Sequence, residues 1–236
     1  QWTDNDVSTS LAYRGENVKI YDPANPSFPD LAEVLGSNAL HGFRLSVAND
    51  TRDSAFFPTS GHYFEISGEQ VLGSFTYPRA MLDLREYGLV TERPDHSGRH
   101  VLSYATQLGF TGSNTPIYDR FYSGGIMFRG FEFHTVTPIE QGIEVGGDFM
   151  WINTVEYLFP LTADDMLHGA FFCDFGTVEK NIGINWDQFR VSPGFGLRVT
   201  IPAMGPAPIA LDFAFPVARA STDDINVFTF NIGFAR

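Results

Sequence analysis

The chain closes with Asn226-Val227-Phe228-Thr229-Phe230-Asn231-Ile232-Gly233-Phe234-Ala235-Arg236. At the strand period of two, this stretch puts Phe228, Phe230, Ile232 and Phe234 on one face and Thr229, Asn231 and Gly233 on the other. In a soluble sandwich such an apolar row packs on other strands. In an outer-membrane barrel it faces lipid, while small or polar residues line the lumen. What stands opposite the apolar row elsewhere in the chain separates the two cases.

Upstream the pattern recurs. Phe189, Val191, Pro193, Phe195, Leu197, Val199 and Ile201 alternate with Arg190, Ser192, Gly194, Gly196, Arg198 and Thr200. Ile209, Leu211, Phe213 and Phe215 alternate with Ala210, Asp212 and Ala214. A packed soluble core wants bulk on its inner face, not glycine and charge. The pattern therefore predicts an all-β chain, a transmembrane antiparallel β-barrel or part of one.

Composition agrees. Mean hydropathy is -0.09, the near-neutral average of a lipid face and a lumen face. No run of 18 apolar residues is present to make a membrane-spanning helix. No signal peptide opens the chain, which starts at Gln1 as though processed or cut from something longer. The 23 Phe and 23 Gly suit aromatic girdles and tight turns. A net charge of -13 argues against a nucleic-acid partner, which needs a basic surface. The single cysteine, Cys173, excludes an intramolecular disulfide and reads as a small outward residue between Phe171 and Phe175.

Ten strand candidates follow, at 9–18, 42–49, 62–71, 79–88, 100–110, 147–159, 168–178, 189–202, 208–217 and 227–235. Residues 30–35 read as a helical turn inside a loop. Short links such as 49–60 alternate with long ones at 22–40 and 112–146, as periplasmic turns alternate with extracellular loops. No linker rich in Pro, Gly and Ser separates two domains. The aromatics Trp2, Trp151, Trp186 and Tyr157 suit interfacial belts better than a ligand platform.

The segment ahead of the sixth candidate reads Phe121-Tyr122-Ser123-Gly124-Gly125-Ile126-Met127-Phe128-Arg129-Gly130-Phe131. It resembles the signature loop of the Omp85 (BamA-type) outer-membrane assembly and translocation family, in which an Arg-Gly-aromatic tip follows an aromatic-x-x-Gly-Gly run. Other words match in the same order: Asp50-Thr51-Arg52-Asp53 with Phe57-Pro58-Thr59-Ser60-Gly61, then Asn153 to Pro160, then Phe172 to Val178, then the closing strands. The resemblance covers the chain from about Thr9 onward. It implies an inward-folding loop at about 112–146, with Arg129, Gly130 and Phe131 at its tip and Phe121, Gly124 and Gly125 as scaffold.

An arginine inside a lumen needs carboxylates, and its planar fork suits them. Alternation turns Glu156 and Asp174 inward, and the resemblance implies these as the partners that hold the loop. That role is conformational, so no catalytic residue is expected. The six histidines form no HxH or HExxH pair, Gly124-Gly125 lacks the setting of a phosphate loop, and no G-x-S-x-G elbow is present. No metal and no cofactor is expected.

The resemblance further implies that the first and last strands pair weakly and open as a gate, which makes Phe228, Phe230, Ile232, Gly233 and Phe234 half of that seam. It implies an integral outer-membrane protein of a Gram-negative-type bacterium that folds and inserts unfolded β-barrel clients, with lipid and accessory assembly subunits as partners. A translocation pore of the same family and a passive porin-like channel are the alternatives. The family's barrel has about sixteen strands, and neither that number nor any POTRA domain is found in these residues. The expectation is therefore the C-terminal portion of a longer chain.

Overall fold

A computed structural model describes residues 2–4, 6–23, 25–201 and 208–233. The chain runs β1 (Trp2–Asp4), β2 (Val7–Ile20), α1 (Pro29–Glu33), β3 (Gly36–Asp50), β4 (Gly61–Gly73), β5 (Tyr77–Thr91) and β6 (His100–Thr111). The link 112–148 then carries three short pieces, β7 (Gly130–Phe131), β8 (Ile139–Glu140) and β9 (Ile143–Glu144). The closing set is β10 (Phe149–Pro160), β11 (Leu167–Glu179), β12 (Arg190–Val199), β13 (Ile209–Ala214), β14 (Ile225–Asn226) and β15 (Phe228–Ile232). Eleven of these form one antiparallel sheet in the order β1-β2-β3-β4-β5-β6-β10-β11-β12-β13-β15.

All ten strands expected from alternation are in that sheet, and β1 is the eleventh. The helical turn is present as α1. Most strand ends move from the sequence reading by one to three residues and the start of β3 by six, and two of these shifts have a clear physical reason. β3 begins at Gly36 because Gly36 to His41 pair with Ile20 back to Gly15 on β2, although Gly36-Ser37-Asn38 reads as a loop. β13 stops at Ala214 because Pro216 has no N–H to give a ladder. The chain still follows β12 there, with Phe215 N donating to Pro193 O and Val217 N to Val191 O, both at 2.9 Å. Pro202, Phe234 and Ala235, which the sequence reading placed on strands, lie outside the described residues.

Alternation survives as a lipid face and a lumen face. Leu11, Phe43, Leu45, Ile66, Leu102, Phe171, Phe195, Phe228, Phe230 and Ile232 are exposed on the outside. The inside carries ion pairs such as Arg44–Glu65 and Arg85–Asp83. Aromatics on five strands stand directly opposite one another, with Tyr157 against Phe171, Phe171 against Phe195, Phe195 against Phe213 and Phe213 against Phe228. Ring centroids along this row lie 5.6 Å apart for Phe195–Phe213 and 5.2 Å for Phe213–Phe228. Such cross-strand pairs are the unit of sheet stabilisation, and here they tie β15 to its neighbours. Trp151 and Trp186 gather around Phe189 at the other end of the strands.

The sheet is open. β1 covers β2 only at Val7 to Thr9, and among the described residues the rest of that edge and the outer edge of β15 have no strand partner. Links alternate between the two ends, but their lengths do not sort cleanly, since the short link 74–76 lies at the same end as 112–148.

A charge on the lipid face meets hydrocarbon, whereas one on the lumen face meets water and counter-charges. Leu45→Arg is therefore expected to destabilise the barrel by about 2–4 kcal/mol. Ser46→Arg, one residue on and inward, should cost well under half of that. Denaturant-dependent folding into lipid vesicles measures both.

Candidate functional site

The link 112–148 doubles back on itself inside the sheet. Phe121 bridges Gly147 and Ser123 bridges Val136, so the outgoing and returning arms run side by side. At the tip, β7 pairs with β14, Phe131 opposite Ile225 and Gly130 opposite Asn226. Phe121, Phe128, Phe131 and Val136 pack with Met150, Ile152 and Val178 of the sheet wall. The rings of Phe128 and Phe131 meet edge to face at 5.0 Å. This apolar cluster lets a loop rich in backbone polar groups sit inside the barrel, because the paired arms satisfy most of those groups internally.

Arg129 is at the end of this arrangement and is 2 % exposed. Its Nε and Nη2 donate to the two oxygens of Asp174, each at 2.8 Å, and its backbone N–H donates to the same carboxylate at 3.0 Å. Nη1 donates to Glu156 at 2.9 Å and, more weakly, to Asp212 at 3.4 Å. The guanidinium lies over the ring of Phe172, 3.3 Å from its centroid. Thr154 donates to Asp174 at 2.8 Å. Arg198 closes the network, giving Nη2 to Glu156 at 2.9 Å and Nη1 to Asp212. Three carboxylates and two guanidiniums from β10, β11, β12, β13 and the loop thus share one largely buried site. Breaking a buried pair by removing one partner typically costs about 3–5 kcal/mol, because the survivor keeps an unmatched charge.

Further ion pairs hold the base of the loop and its neighbour. Asp119 accepts from Arg14 at 2.8 Å, from Arg79 at 3.0 Å and from the Tyr77 hydroxyl. Burial alone would raise the Asp119 carboxyl; hydrogen bonds from Arg14 and Tyr77, with the charges of Arg79 and Arg14, outweigh it and hold it below its ordinary value. The contact therefore contributes above the ordinary carboxylate range, and its contribution fades as pH falls through the lowered value. Arg120 reaches Asp30 in the first turn of α1 and the carbonyl of Val145. Arg190, 1 % exposed, grips Asp223 through Nε at 3.1 Å and Nη2 at 2.8 Å, which fastens the segment before β14 to β12.

The structure brings Arg129, Glu156 and Asp174 together. Gly130 has φ +95, and a Cβ there would meet Ser192 and Pro216. Phe121 is buried, with the Arg79 guanidinium 4.5 Å over its ring. Gly125 N donates to Phe131 O at 2.9 Å, and Gly124 O accepts from Met127 N. Phe228, Phe230 and Ile232 face outward on β15, far from Arg129 in role and setting. Gly233 follows the end of β15 and donates to Pro208 O at 3.1 Å. Phe234 lies outside the described residues.

Sequence reasoning missed Asp212, Arg198 and Phe172 as members of the site. Alternation had already turned Arg198 and Asp212 inward; what it could not give was their distance from Arg129. Asp119 and Asp223 sit in links, where no period points. Among the described residues no group of three or more His, Cys, Asp and Glu side chains could hold a metal ion.

Residues 1–235 match the family model described as the Omp85 superfamily domain. The chain is 27 % identical over 234 residues to the outer membrane protein assembly factor BamA of Nitratidesulfovibrio vulgaris, covering 94 % of this chain and 29 % of that protein. Its fold is similar to the crystal structure of BamA from Haemophilus ducreyi lacking POTRA domains 1–3, with a TM-score of 0.77 and 19 % identity. That match covers 96 % of this chain and 51 % of the solved one. The chain thus spans about a third of the curated relative and half of the solved structure.

Two substitutions separate charge from backbone at the tip. Asp174→Asn removes the charge that faces Arg129 and is expected to cost about 3–5 kcal/mol of loop docking. Gly130→Ala forces a Cβ into a left-handed position against β12 and is expected to cost about 1–3 kcal/mol. Amide hydrogen exchange over 121–136 reads both, the Asp174 variant opening more.

Proposed function

The chain belongs to the Omp85 superfamily, and from that membership we propose that it is the C-terminal part of an outer-membrane assembly barrel that folds and inserts β-barrel client proteins. It is an integral outer-membrane protein of the Gram-negative type. The observation that carries the functional reading is the loop held in the lumen by Arg129 on Asp174 and Glu156. A passive channel can use an inward loop to narrow its pore but does not require a buried five-member ion network to fix it. A machine with a defined resting state does, because such a network sets one loop position against all others.

The open edges support a longer chain. Backbone N–H and C=O groups at membrane depth need partners, so the exposed edge of β2 from Ser10 to Ile20 calls for further strands. This fits the third of the curated relative's length that the chain spans. The remaining strands would complete the barrel and bring its first strand to β15. That seam, lined on this side by Phe228, Phe230, Ile232 and Gly233, is where a client strand would add by β-augmentation. Lipid, unfolded β-barrel clients and accessory assembly subunits are the partners of this reading. The work it describes is folding and insertion, with no bond made or broken, and the inward carboxylates serve Arg129 rather than chemistry. A translocation pore would favour a wide, basic lumen, whereas among the described residues the luminal arginines Arg14, Arg44, Arg85, Arg129 and Arg198 are paired with carboxylates.

Arg129→Ala in the full-length protein tests the proposal. Losing about 3 kcal/mol of docking lowers the ratio of docked to released loop by about a hundredfold. Insertion of a purified β-barrel client into lipid vesicles is expected to fall sharply, and the link 112–148 is expected to become protease-sensitive while the barrel stays folded. Client insertion at the wild-type rate, with the loop demonstrably released, would remove the lock from the account.

A further inference from the structure

The motif Asp50-Thr51-Arg52-Asp53 … Phe57-Pro58-Thr59-Ser60-Gly61 has no part in the network around Arg129, yet its polar groups are closely bonded to one another. Arg52 forks onto Asp50 through Nε and Nη2, both at 2.8 Å. Asp53 accepts from the backbone N–H of Thr59 at 2.8 Å and of Ser60 at 3.3 Å, and from the Thr59 hydroxyl. Ser54 accepts from the N–H groups of Phe56 and Phe57. Gly61 turns the chain into β4 at φ +89, where a Cβ would strike the carbonyl of Thr51. With its polar groups so closed on one another, the turn presents Phe57 and Pro58 at its apex. Proline fixes its own φ and holds the residue before it extended, so this apex is stiff.

The apex points into the lumen. Pro58 is buried, and the Phe57 ring stacks on His168 of β11, centroids 5.4 Å apart and 29° between planes. The turn belongs to β3 and β4, whereas β11 lies beyond β5, β6 and β10 in the sheet, so this contact crosses the lumen. His168 stands directly opposite Arg198 in the β11–β12 register. One cavity separates the turn from the loop tip, with Phe57 and Pro58 on one side and Ile126, Arg129, Glu156 and Arg198 on the other. The turn joins strands at the end opposite the link 112–148, so two inward segments from the two mouths face each other across that cavity.

We propose that the turn 51–60 is a second closure of the lumen: Phe57 and Pro58 wedge the mouth opposite the long loop and act as positioning residues for the Arg129 network by keeping bulk water from it. Where water reaches an ion pair it solvates the separated charges, so breaking the pair costs about 0–1 kcal/mol, against about 3–5 kcal/mol for a pair kept dry. A wedge on the far side therefore decides how firmly the loop is held, without touching Arg129. The inference rests on the loop being held in the lumen.

The test uses the full-length protein in planar lipid bilayers, with amide exchange over 123–136 on the same samples. Phe57→Ala and Pro58→Ala are expected to raise conductance by about threefold or more and to speed exchange in the loop, and Phe57→Trp to restore both. Phe64→Ala, which removes an outward ring from β4, controls for general loss of packing and should change neither. Raised conductance in Arg129→Ala with wild-type conductance and exchange in both wedge variants overturns the wedge and leaves the loop reading standing. Should Phe57→Ala fail to fold, a single cysteine in an intact wedge background answers instead. In Ile126→Cys with Cys173→Ser, a charged thiol reagent added from the turn side is expected to react slowly; labelling at the rate of a free thiol overturns the proposal.

Discussion

A guanidinium in the lumen of a membrane barrel is the constraint around which the rest of the chain is arranged. Arg129 cannot lose its charge, and away from bulk water it is tolerable only where carboxylates match its fork. Asp174 does so bidentately, Glu156 takes the remaining nitrogen, and Arg198 and Asp212 balance what is left over. Each of these residues comes from a different strand, so the network exists only if β10, β11, β12 and β13 hold one register. A one-residue slip in any of them would turn its charged side chain to the lipid. The loop and the register of the wall thus specify each other.

The outer face solves the complementary problem. Large apolar residues alternate with small, polar or charged luminal ones along the long strands, and the aromatic row from Tyr157 to Phe228 runs across five strands in direct register. β13 and β15 are short and pair along only a few residues, so ring contacts supply much of what fixes the last strand. Held by a short ladder and by side chains on its lipid face, β15 depends on those rings for its place in the sheet. The luminal side of β15, Thr229 and Asn231, adds no comparable anchor.

Legibility in the sequence followed period. The strands and their faces are readable because apolar and polar residues alternate strictly over 189–201 and 209–215, and the same alternation aims Glu156, Asp174, Arg198 and Asp212 inward. Family likeness in 121–131 supplied the loop and pointed to Arg129. What could not be read lay where no period operates: Asp119 and Asp223 in links, α1 packing near Arg120, and the turn around Phe57 reaching His168 across the lumen. β3 was read short for a related reason, since the Gly-Ser-Asn start of that strand is strand-like only because β2 runs beside it. Phe172 was overlooked because an inward aromatic contradicts the small-and-polar rule for a lumen; the ring is there to carry the flat face of Arg129.

The central claim is that the buried pair of Arg129 and Asp174 holds the loop, and a double-mutant cycle on that pair is the most direct measurement. Loop opening in the full-length barrel would be followed by amide exchange at 123–136 in wild type, Arg129→Ala, Asp174→Ala and the double variant. If the pair is the lock, each single change opens the loop strongly and the double variant is barely worse than either, a coupling of about 1.5 kcal/mol or more. Strictly additive effects, or exchange in 123–136 that neither single change alters, would contradict it.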